Sequence, residues 1–151
     1  MQAQTGKSYE LIDGKLVEVT PTGLSHSALE FRIALLLGQH VLQRRLGQAS
    51  WARSGFYLRN DPHTVRGADV AFIHSEKLPA AGLPEGFSSL VPDLVVEVVS
   101  PNDRGAEVIA KVAEWLALGL ETVWMAYPSA RSVHIYTDVR GSRILGGDEL
   151  L

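Results

Sequence analysis

Apolar and polar positions recur with two different periods along this 151-residue chain. Residues 9–19, YELIDGKLVEV, hold two short alternating runs about Asp13-Gly14, which predicts a β-hairpin. Residues 21–23 break it. From 25 to 46 the period lengthens. Leu29, Ile33, Leu36, Leu37 and Val41 repeat at helical spacing, so one buried stripe is predicted. Ser25 is placed as N-cap of this helix and Gly47 as the residue just past its end. Residues 49–58 read as a strand, Asn60-Asp61-Pro62 as a turn, and residues 65–73 as the next strand. Residues 74–90, with prolines at 79 and 84 and glycines at 82 and 86, read as a long loop.

The most apolar short run is 94–99, in which five of six residues are apolar and four are valines. A strand covered on both faces reads this way. A helical pattern follows at once, from Ser100-Pro101 to about Leu118. Ser100 and Asp103 are spaced as a capping box, and Pro101 suits a first helical position. Val108, Val112, Trp115 and Leu116 form its apolar side, and Gly119 ends it. Residues 122–127 are another apolar strand, and 132–136 with 142–145 a last pair about Arg140-Gly141. The order is hairpin, long helix, three strands, helix, strand, hairpin. It predicts an α/β fold on a mixed sheet, with a parallel, right-handed strand-helix-strand unit over 94–127.

Composition narrows the picture. The length suits a single domain over 1–151 with a real core. There is no cysteine, which excludes disulfides, zinc-thiolate sites and a cysteine nucleophile, and agrees with a reducing cytoplasm. No apolar run approaches the ~20 residues of a membrane span, and MQAQTGKSYE lacks the apolar core of a secretory signal. A net charge of -3 and a pI of about 5.9 argue against coating nucleic acid through bulk charge, and leave room for a local basic groove.

Candidate chemistry rests on acids in apolar strands. Glu97 sits inside the valine run, and Asp69 shares a strand face with Ala71 and Ile73. Two inward carboxylates repel unless a divalent cation lies between them. The competing reading pairs Glu97 with an arginine such as Arg53 and makes Asp69 a turn cap. Lys111, on the second helix, either is solvated or reaches the strand ends to orient water and stabilise charge on a phosphate. His26, in the first turn of the long helix, could accept a proton or touch a phosphate. Glu30, one turn on, could join the metal cluster or pair with Arg32 or Arg53. There is no Walker loop, GxGxxG, HExxH or GxSxG, and the other four histidines lack metal-ligand spacing.

YELIDGKLVEVTPTGLSHSAL, VRGADVAFI, PDLVVEVVSPNDR, and a helix with Lys111 followed by AYP together resemble the Uma family of restriction endonucleases. That family lies within the restriction-endonuclease-like superfamily marked by PD-(D/E)XK. The resemblance covers about residues 9–136, and PDLVVEVVSP is its most specific piece. It implies a restriction-endonuclease-like mixed central sheet flanked by helices, and Mg²⁺-dependent cleavage of DNA, with Mn²⁺ as a substitute. Asp69 and Glu97 correspond to the two acids. Lys111 matches the helix lysine of the Uma pattern, because Val99 stands where the superfamily lysine would fall. Ala68 replaces the proline before the aspartate, and relatives continue past residues 147–151. The expected catalytic set is Asp69, Glu97, Lys111 and His26, and the metal set is Asp69, Glu97 and Glu30. A homodimer is expected, through the hairpins or the region 127–136. Two alternatives stay open: a module that kept the fold and lost the reaction, and a nucleotide or sugar-phosphate hydrolase.

Overall fold

The computed structural model describes residues 8–60 and 63–146. Asp61 and Pro62 of the predicted turn, and the tail 147–151, lie outside the described residues. The elements are β1 (Ser8–Ile12), β2 (Lys15–Val19), α1 (Leu24–Arg44), β3 (Gly47–Asn60), β4 (His63–His74), β5 (Leu94–Val98), α2 (Gly105–Ala117), β6 (Thr122–Tyr127), β7 (Ser132–Asp138) and β8 (Gly141–Gly146). They occur in the predicted order, in one sheet of eight strands. β5 and β6 run parallel, as a strand-helix-strand unit requires, and every other pair is antiparallel. No helix among the described residues is long and apolar enough to cross a membrane.

β4 organises the sheet. β3 pairs along nearly all of one of its edges. Val65 pairs with both Tyr57 and Leu11, and Val70 with both Trp51 and Val96. β1 and β5 therefore share the other edge, one at each end, with a gap between them at residues 66–69. Each face of the sheet is covered by one helix. Ala71, Val95, Val123 and Met125 are buried with Val108, Val112 and Trp115 of α2. Val70, Leu94 and Val96 are buried against Ile33, Ala34 and Leu37 of α1. The valine run is apolar on both sides because both sides meet a helix.

The helix ends differ from expectation. α1 begins one residue before Ser25, with Gly23 as N-cap and no side chain capping it. Its C-terminal left-handed residue is Arg45 (φ 54), and the Leu46 N–H reaches back to the Val41 carbonyl at 3.0 Å. Gly47 instead opens β3. A Cβ there would lie 2.1 Å from the Ile73 carbonyl oxygen, so the residue is glycine for close approach to β4. α2 starts at Gly105, not at Pro101. Ser100 and Asp103 do bond, the Ser100 N–H donating to Asp103 Oδ2 (2.8 Å), but they close a separate turn ahead of the helix. Gly119 ends α2 with φ 101, as expected.

Candidate metal centre

The gap along β4 is where the acids gather. The β4–β5 ladder pairs Val70 with Val96 and goes no further. On the next step the Val98 N–H donates 2.8 Å to Asp69 Oδ2 rather than to a backbone carbonyl. Asp69, buried, is thus held by a strand edge and caps no turn.

Glu97 is 2 % exposed. Lys111 Nζ donates to its Oε2 at 2.8 Å, and the Trp115 indole N–H to its Oε1 at 3.0 Å. Lys111 and Trp115 lie four residues apart on α2, so one helix face delivers both donors. The partner is this pair, not Arg53. Burial pushes the Glu97 carboxyl up to about 7; the Lys111 ammonium opposes the rise and the Asp69 carboxylate adds to it. Burial alone would lower the Lys111 ammonium. The carboxylates of Glu97, Glu10 and Asp69 outweigh it and hold Lys111 above its ordinary value.

α1 brings its first turn to the same place. His26 Nε2 lies 3.0 Å from Glu30 Oε1 and 3.8 Å from Asp69 Oδ2. On its other side, His26 Nδ1 is 3.4 Å from Ser100 Oγ. Glu30 is buried and pairs with His26 rather than with Arg32 or Arg53. Burial raises its carboxyl above the ordinary range, Asp69 raises it further, and His26 opposes. One ligand atom from each of His26, Glu30 and Asp69 lies within 4.8 Å of the others. This donor set fits a divalent cation. It offers two carboxylates and an imidazole, and its buried acids repel in a way that a cation would relieve. Glu97 stands beside the trio, its two oxygens engaged by α2.

A second charged group borders the site. Arg66 on β4 donates to Glu10 of β1 (3.0 Å) and to Glu114 of α2 (2.7 Å). Glu10 also accepts the Gly67 N–H at 3.1 Å. Sequence reasoning missed this group, because a charged residue in an alternating strand reads as solvated. By its sequence Trp115 belongs to the apolar side of α2, and only its i, i+4 spacing from Lys111 hints at a shared partner. Of the remaining histidines, His134 sits within β7 with its ring 4.4 Å from that of Tyr127.

Comparison with known proteins agrees with this architecture. A crystal structure described as that of a "putative nuclease belonging to DUF820", from Anabaena variabilis, superposes with a TM-score of 0.79 at 21 % identity. The alignment covers 99 % of this chain and 83 % of that one. At such identity the likeness establishes the fold alone. No curated protein matches. The model of the Uma2 family, whose description reads "Putative restriction endonuclease", matches residues 1–151. With the match spanning the whole chain, the protein belongs to the Uma2 family.

Proposed function

We propose that the protein is a Mg²⁺-dependent endonuclease that hydrolyses phosphodiester bonds of DNA, acting as a homodimer in the cytoplasm from one domain over 1–151. The observation that carries this reading is the convergence of His26, Glu30 and Asp69 beside the Glu97–Lys111 pair. Asp69 and Glu30 would hold the ion with His26, and Glu97 lies at its edge. When bound, a divalent ion supplies charge neutralisation and a water of lowered pKa. An imidazole ligand suits Mn²⁺ better than Mg²⁺, so Mn²⁺ should support the reaction at least as well.

The chain's own groups do the rest. Glu97 holds Lys111 charged and fixes its position. Lys111 then orients the attacking water and stabilises charge on the phosphate. A cleft of about 510 Å³, bordered by Tyr9, Glu10, Arg53, Tyr57, Gly67 and Phe87, touches the site through Glu10 and Gly67. Arg53 there is a donor for a DNA phosphate.

One observation favours a second reading. Both oxygens of Glu97 already have donors, as in a purely structural carboxylate. The module would then bind without cutting. Plasmid nicking with Mg²⁺ or Mn²⁺ separates the two, with Asp69→Asn as control. Nicking by the wild type and not by the variant supports the endonuclease. No nicking, together with no thermal shift on adding either metal, leaves the binding module.

A further inference from the structure

α1 is apolar on two separate faces. Ile33, Ala34 and Leu37 meet the sheet. Roughly 130° around the helix lie Leu24, Ala28, Phe31, Leu35, Gly38 and Leu42, spaced 4-3-4-3-4. Leu24 and Leu42 are 87 % and 75 % exposed, and Phe31 and Leu35 are exposed as well. Trp51 of β3, also exposed, extends this face, its ring 6.0 Å from that of Phe31.

We infer that this face is the contact between two copies of the chain, packed as an antiparallel helix pair. Three features select that occupant. The seam is a palindrome of sizes about its centre: Leu24 and Leu42 are large, Ala28 and Gly38 small, Phe31 and Leu35 large. An antiparallel two-fold sets residue 24 against 42, 28 against 38 and 31 against 35. Small meets small, where the backbones approach most closely, and large meets large. The same patch is thus complementary to itself, as a two-fold contact requires. Second, Leu24, Phe31, Leu35, Leu42 and Trp51 are 46–87 % exposed, so together these five side chains offer on the order of 700 Å² per protomer, near the ~800 Å² per partner of a stable interface and above the ~300–600 Å² largest patch of a typical monomer. Third, none of the six seam residues carries a charge, so neither a phosphate backbone nor an acidic peptide fits. His26 and Glu30 lie on the inner side of the same helix, so each copy's metal centre stays clear of the contact. The inference rests on the dimeric part of the proposed function and is independent of cutting.

Sedimentation equilibrium of the full chain tests it. The wild type should associate to a dimer at micromolar concentration. Leu35→Glu should weaken association at least 100-fold with unchanged circular dichroism, because Leu35 is exposed within one copy, and its melting temperature should no longer rise with protein concentration. Leu42→Glu should do the same if Leu35→Glu fails to fold. The chain has no cysteine of its own, so single cysteines report the register. Leu24→Cys mixed with Leu42→Cys should cross-link, and neither variant alone should. A wild type that stays monomeric at high concentration overturns both the interface and the dimer. A dimer untouched by Leu35→Glu and Leu42→Glu, or cross-linking of each cysteine variant only to itself, overturns the interface alone.

Discussion

Glu97 and Glu30 are both buried carboxylates beside Asp69, and they are compensated in opposite ways. Glu97 has a lysine on one oxygen and an indole N–H on the other. Glu30 has a single imidazole and faces a second acid. Removing a charge from water is costly unless partners replace the lost solvation. α2 therefore completes its carboxylate, whereas α1 leaves its own short of positive charge. A cation goes where compensation is missing, so the comparison points to the α1 side.

The strongest break in this comparison is at Asp69, which serves both sides. Asp69→Asn keeps an oxygen for the Val98 N–H and removes the charge. Nicking should fall by ~10³-fold, on the scale of losing a charge-stabilising group, with the circular dichroism spectrum unchanged. Next is Lys111→Met, which strips Glu97 of its cation and should cost ~3–5 kcal/mol at pH 8 by urea unfolding. The cost should shrink at pH 5. Glu97 is raised to about 7 in the folded state from an ordinary 4.5. Its contribution to stability is therefore whole below pH 4.5 and is lost as pH rises through about 7.

The α1 side should respond to metal instead. Mn²⁺ at 100 times its Kd should stabilise the wild type by ~2.7 kcal/mol, read as a rise in melting temperature. At one fixed Mn²⁺ concentration the rise should be larger at pH 8 than at pH 5.5, because binding displaces protons from acids such as Glu30 that burial holds up, which weakens the affinity at low pH. Glu30→Gln should lose the shift while its metal-free melting temperature stays level or increases. The smallest effect concerns Ser100. For His26 Nε2 to face an ion, Nδ1 must hold the ring proton, and Ser100 Oγ is what that proton meets. Ser100→Ala should weaken Mn²⁺ binding about tenfold by calorimetry, and Ser100→Thr should restore it.

Much of the fold was legible because its signals are local. The valine run announces a strand between two helices, and Asp13-Gly14 announces the first hairpin. The burial of Asp69 and Glu97 was legible because an acid in an apolar strand is costly and so conspicuous, whereas the pattern alone left Lys111 either solvated or reaching the strand ends, and the structure pairs it with Glu97. What was hidden depends on neighbours distant in sequence. Gly47 looks like a helix terminator until the Ile73 carbonyl is seen against it. The sequence reading set Asp69, Glu97 and Glu30 about one ion and gave His26 a proton or a phosphate instead. The group that converges instead is His26, Glu30 and Asp69, and no spacing along the chain reveals that the His26 ring reaches a strand edge as a third donor. The outward stripe of α1 escaped for another reason. One apolar face suffices to explain a helix, so Leu24, Phe31, Leu35 and Leu42 went unremarked.

The gap in the β4 edge has a consequence for descent. There, side-chain oxygens of Asp69 and Glu10 stand in for missing main-chain acceptors, taking the amides of Val98 and Gly67. A lineage that gave up cutting would still need something to accept those protons, since a stranded buried donor costs ~1–3 kcal/mol. Decay of the site should therefore run from aspartate to asparagine before it runs to alanine, and loss of activity would leave the skeleton of the acids behind.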